Sequence, residues 1–177
     1  MYSFGNFQRA ELGPQRLPKL ADGFEGVLQI VKTWVKDGRR GPMFMCECIV
    51  MQSNHPTNPV GQRIMWKQDL TNKNVADNAM FQWAAAVFGI GGENEAGLNW
   101  LRASLGDDNS TYPPKPGLLS HAVGNVPQSG MTQEYNLFTH DLQTRQPRYV
   151  ACRAFQTTTG NNRQFLAHNW APLQQAS

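Results

Sequence analysis

A chain of 177 residues, 40% hydrophobic with a mean hydropathy of −0.50, has the material for one domain with a full core and is too short for two of ordinary size. Its formal charge of +3 excludes a strongly acidic or strongly basic protein, so any preference for a polyanion must come from how the charges are distributed. The longest apolar run, Ala84 to Ile90, is too short to span a bilayer, and Met1 to Phe7 carry no basic stretch followed by an apolar block. A cytoplasmic protein with no membrane partner is expected.

Residues 1–23 read as an N-terminal arm. Phe4, Phe7, Leu12, Leu17 and Leu20 are scattered among glycine, proline and polar residues without period, as in a segment that lies over the domain or reaches a neighbouring subunit. A single domain is expected over 24–171, with a short tail at 172–177. It opens on a hairpin. Phe24 to Lys36 and Pro42 to Ser53 are rich in β-branched and bulky apolar residues, and Asp37-Gly38-Arg39-Arg40-Gly41 joins them with glycines able to take a positive φ. Lys32, Lys36, Arg39 and Arg40 sit on the strand ends and loop, with Trp34 and Phe44 close by. The Cys46-x-Cys48 pair on the second strand, with Cys152, reads as small buried core residues.

Asn54 to Gly61, with two prolines, is a loop, and His55 in it is a surface residue. Gln62 to Leu70 forms a third strand with Ile64 and Trp66 on one face and Arg63, Met65 and Lys67 on the other; Trp66 is either core or a stacking platform. Asn72 or Asn74 caps a helix over Val75 to Ile90, apolar on nearly every side and therefore buried, with Phe81 and Trp83 in the core. Gly89, Gly91 and Gly92 end it. Glu93 to Leu105 is an amphipathic helix with Leu98, Leu101 and Leu105 inward. A long irregular loop covers 106–135, a flap or a partner-binding segment, with a short strand within Leu118 to Val126. Leu137 to Leu142 reads as another strand. A second hairpin follows, Arg148 to Gln156 and Arg163 to Trp170, turning through Thr159 to Asn162.

Charge follows this division. Between Phe24 and Lys73 seven basic residues face four acids, and after Asp141 there are arginines and no acid. The helical middle carries Asp77, Glu93, Glu95, Asp107 and Asp108 against Arg102. Basic strands and acidic helices suit an anion-binding face with a solvated back. The chemistry of catalysis is missing. There is no Gly-x-Ser-x-Gly, no Gly-x-x-x-x-Gly-Lys and no His-Glu-x-x-His. None of His55, His121, His140 and His168 falls at a zinc-site spacing from the cysteines. No enzyme, no cofactor and no metal are expected.

The order of elements, three strands, helices, an irregular stretch and a closing hairpin, fits an α+β domain built as an OB-like Greek-key barrel of about five strands with one buried and one amphipathic helix. On Gly26-Val27-Leu28, the Gly38 to Gly41 loop, Phe44 to Val50, Val60-Gly61 and the Trp66 strand before Val75, the chain resembles phage-encoded single-stranded DNA-binding proteins of OB type. The resemblance covers about residues 24–90 and, less fully, 147–171. It implies binding of single-stranded DNA, with RNA left open, without strong sequence preference, in replication or recombination in the host cytoplasm. Trp34, Phe44 and Tyr149 become stacking candidates, with Trp66 as the fourth if it faces outward. Lys32, Lys36, Arg39, Arg40, Arg63, Lys67, Arg148, Arg153 and Arg163 become phosphate contacts. A homo-oligomer is expected, through the arm or the 106–135 loop. Bacterial relatives of this type recruit partners through an acidic, Phe-ended tail, and Ala171 to Ser177 has no acid. The competing class is a viral structural or assembly protein with a β-barrel core and no nucleic-acid binding.

Overall fold

Alternation of apolar and polar residues generates five strands, β1 (Glu25–Gly38), β2 (Gly41–Ser53), β3 (Arg63–Asp69), β4 (Tyr149–Thr158) and β5 (Gln164–Ala171). A computed structural model describes residues 16–123 and 130–173. All neighbours pair antiparallel in one sheet ordered β3-β2-β1-β4-β5. Among the described residues three helices, α1 (Lys73–Val87), α2 (Glu95–Ser104) and α3 (Leu118–Ala122), lie in sequence between β3 and β4. The fold is α+β. No described helix is long and apolar enough to cross a membrane.

The inner face of the sheet carries Leu28, Ile30, Phe44, Cys46, Cys48, Val50, Ile64, Val150, Cys152 and Ala154, all buried. Helix α1 packs against β3, β4 and β5. Its start is fixed by Asn72, whose side chain accepts from Val75 N–H, and its apolar body sends Trp83 into the centre. There the rings of Phe44, Trp66 and Phe138 surround Trp83 at centroid distances of 5.0, 5.6 and 4.8 Å. All three cysteines are free and buried, and burial before any other cause pushes the Cys46 thiol well above its ordinary range.

The sheet does not close into a barrel. No ladder joins β3 to β5, although Trp66 and Trp170 meet across the gap with ring centroids 4.9 Å apart. The free edges are partly taken by other segments. Met65 N–H on β3 donates to Pro18 O, and Thr33 N–H on β1 donates to Gln133 O, beyond the point where β4 leaves β1 at Gln29.

Residues 16–23 lie over the domain, one of the two placements open to the arm: Leu20 is buried, and Asn58 clamps Lys19 O and Ala21 N–H; residues 1–15 lie outside the described chain. Two expectations are corrected. Leu118–Ala122 is a helical turn and not a strand, while 124–126 lie outside the described residues. Leu137 to Leu142 is not a strand either. Buried Asn136 organises it, donating to Thr33 Oγ1, Thr132 O and Gln133 O and accepting from Phe138 and Thr139 N–H. A fully satisfied amide takes over the backbone groups a ladder would have used.

His168 on β5 stacks on Trp170 at 5.6 Å, and burial lowers its pKa to about 4. The unfolded imidazole titrates near 6.5, so the half-buried neutral ring contributes stability above that pH, and this contribution is lost as pH falls from about 6.5 toward about 4. We expect His168→Gln to flatten the decline in urea stability over that window by about 3 kcal/mol relative to the parent protein. Parallel pH profiles for the two chains would show the assignment to be wrong.

Candidate nucleic-acid interface

One residue decides which side chains the outer face presents. Leu28 and Ile30 point inward at even numbers, whereas Thr33 and Val35, opposite Cys46 and Phe44, point inward at odd numbers. The shift is a β-bulge at Val31, between Ile30↔Cys48 and Lys32↔Glu47. Without it, Lys32, Trp34 and Lys36 would project into the core. With it, they project outward together. Gly41, at φ +130°, closes the β1–β2 turn and leaves Arg39 and Arg40 exposed at its tip. The left-handed position is therefore Gly41 rather than the Gly of the Asp37-Gly38 pair.

Cross-strand register arranges the outer face in rows: Lys32–Glu47–Met65, Trp34–Met45–Lys67 and Lys36–Met43–Asp69. Trp34 is half-buried, with Lys32 Nζ 4.8 Å from its ring centroid. Lys32 also reaches Glu134 at 3.7 Å. Lys36, Arg39, Arg40 and Lys67 are exposed and make no ion pair among the described residues. Asp69 is turned to local use: the Thr71 hydroxyl and amide hold its carboxyl below the usual range. The result is an indole flanked by cations on its own strand, with a further lysine two strands away and an arginine pair at the tip.

The structure brings together Lys32, Trp34, Lys36, Arg39, Arg40 and Lys67. Tyr149, half-buried, and Arg153, exposed, lie lower on the same outer face, on β4. Arg163 is exposed at the β4–β5 turn, beyond the opposite end of the β1 ladder from Arg39 and Arg40. Three candidates are corrected. Phe44 is fully buried and Trp66 is 5% exposed, both on the inner face against Trp83, so neither ring is open to a base. Arg148 is turned inward: its Nε donates to Leu137 O and His140 O, its guanidinium lies 5.0 Å from the Phe88 ring centroid, and desolvation lowers its pKa. Arg63 keeps its place on the outer face, exposed and paired with Glu47, as Lys32 is with Glu134. Met43 and Met45 alternate with Phe44 and Cys46 and so fall in the outward rows, Met45 buried beneath its neighbours, while Met65 faces outward with Arg63 and Lys67 as its strand pattern predicts.

No protein-family model, curated protein or solved structure matches the chain. Among the described residues no three His, Cys, Asp or Glu side chains are grouped to hold a metal ion.

Proposed function

We propose that the chain binds single-stranded DNA on the outer face of β1–β2–β3, stacking bases on Trp34 and neutralising phosphates with Lys32, Lys36, Arg39, Arg40 and Lys67. The observation that carries this reading is the bulge at Val31, which turns one indole and its flanking cations to the same exposed side. A single strand needs both, a flat apolar surface for its bases and regularly spaced charge for its phosphates. In this reading the sheet is an OB-like Greek-key barrel open along one side. What supports it is the order β3-β2-β1-β4-β5, the placement of the helices between β3 and β4, and the Trp66–Trp170 contact across the gap. A phage-type sheathing protein, acting in replication or recombination in the host cytoplasm, is the corresponding role.

The test is a tryptophan-fluorescence titration with poly-dT at several salt concentrations. Five phosphate contacts at about 0.7 each give an expected log–log slope near −3.5, and replacing Arg39 and Arg40 with glutamine is expected to reduce it by about 1.4. A flat salt response would remove the electrostatic half of the reading. A second reading, an assembly protein with the same core, is favoured by β5. It is an edge strand with no charged residue over Gln164–Ala171, the kind of edge that pairs with another chain. Light scattering separates the two: an assembly protein forms a large fixed oligomer and leaves its fluorescence unchanged by DNA.

A further inference from the structure

We infer that a hollow on the outer face, beside Gly26, is a base-reading subsite that takes a guanine of the bound strand; this rests on the DNA-binding reading above. The hollow, of ≈ 520 Å³, opens where β2, β1, β4 and β5 lie side by side. It exists because the residues there are small. Val27, Ala151 and Ala171 put only short side chains on it. Register places Val27, Ala151 and Ala171 in one outward row with Gln52, and Glu25, Arg153 and Asn169 in the next. The first row is a low apolar floor and the second a polar wall.

The wall is exposed. Glu25 and Arg153 are direct cross-strand partners of opposite charge, a pairing that ordinarily closes. Yet their side chains form no salt bridge, and none of the side chains of Glu25, Arg153, Gln52 and Asn169 makes a hydrogen bond among the described residues, the Glu25 backbone being held by Asn54. A carboxylate acceptor beside a guanidinium donor matches the edge of guanine. Glu25 accepts from the ring and exocyclic N–H groups, Arg153 donates to the carbonyl oxygen, and the two amides are free to bond the remaining atoms. Rings are at hand on both sides. Tyr149 is two residues before Ala151 and Phe155 two residues after Arg153, both outward on β4 by the same alternation, and both half-buried. Trp34 lies eight positions along β1 from Gly26, about 25 Å of strand, so one oligonucleotide along this face meets both sites.

The experiment measures anisotropy of labelled dT20 and of the same oligonucleotide with one central dG, dA or dC. The native chain is expected to bind the dG oligomer about tenfold more tightly than dT20. Glu25→Ala is expected to abolish that ratio while leaving dT20 binding at least as tight, and Asn169→Ala to reduce it. Both side chains are exposed, so neither variant puts the fold at risk. Loss of a repelling acid alone would strengthen binding of every oligonucleotide by one common factor and preserve the ratios; that result, or equal affinity of the native chain for all four oligonucleotides, overturns the subsite and leaves the DNA-binding reading standing. Failure of every oligonucleotide to bind overturns both.

Discussion

Trp34→Ala is expected to weaken oligo-dT binding by about 5- to 150-fold, the ~1–3 kcal/mol that one base–aromatic stack contributes, with little change in the urea midpoint. The ring lies outward between Met45 and the flanking lysines, and Lys32 covers part of it, so its loss leaves no core cavity. Trp34→Phe separates stacking from reporting, because a phenyl ring keeps most of the affinity but removes the indole whose fluorescence DNA would quench. If Trp34→Ala binds oligo-dT as tightly as the native chain, the indole is not a platform, whatever the salt dependence shows. Phe44→Ala is the informative contrast. Its backbone partner is Val35, the residue next to Trp34, but it points the other way, and its substitution is expected to cost stability rather than affinity.

That contrast shows what could be read from the residues and what could not. Both hairpins, the third strand and the first two helices follow from period and punctuation: alternating β-branched runs, glycines at the turns, an asparagine cap, an apolar helical run closed by Gly89. The choice between Trp34 and Phe44 does not follow, because it depends on parity, and parity on β1 is reset by a single extra residue at Val31. Nothing local marks that residue as a bulge; it is one more β-branched side chain in a β-branched run. Arg148 was misplaced for a different reason. It is preceded by Arg145 and followed by Arg153, and only the tertiary fold shows that the carbonyls of Leu137 and His140, freed by the turns around Asn136, need an internal donor. The 106–135 stretch was obscure because its organisers are long-range. Asp107 ties it to Gly117 N–H and Ser120 Oγ, and Asn136 to Thr33, more than a hundred residues away in the chain.

The inner face sets the conditions under which the outer face works, and Trp83 is where that dependence is most exposed to test. Trp83→Ala is expected to cost about 3–5 kcal/mol, a large part of the 5–15 kcal/mol typical of a domain. The indole is fully buried and touches Phe44, Trp66 and Phe138, so its removal opens a cavity between α1 and the back of β2 and β3. Trp83→Phe is expected to be far milder, within about 1–2 kcal/mol, for a specific reason. Trp83 Nε1 is buried with no hydrogen-bond partner among the described residues, so exchanging indole for phenyl removes an unpaired donor as well as some volume, and the two effects oppose each other. Urea denaturation of both variants measures the difference. A Trp83→Ala cost below about 1 kcal/mol would mean that α1 is not seated on the sheet through this ring. The β1–β2–β3 surface would then lack the rigid backing that holds Trp34 and its lysines in register, and the DNA affinity of Trp83→Phe should equal that of the native chain only if that backing is intact.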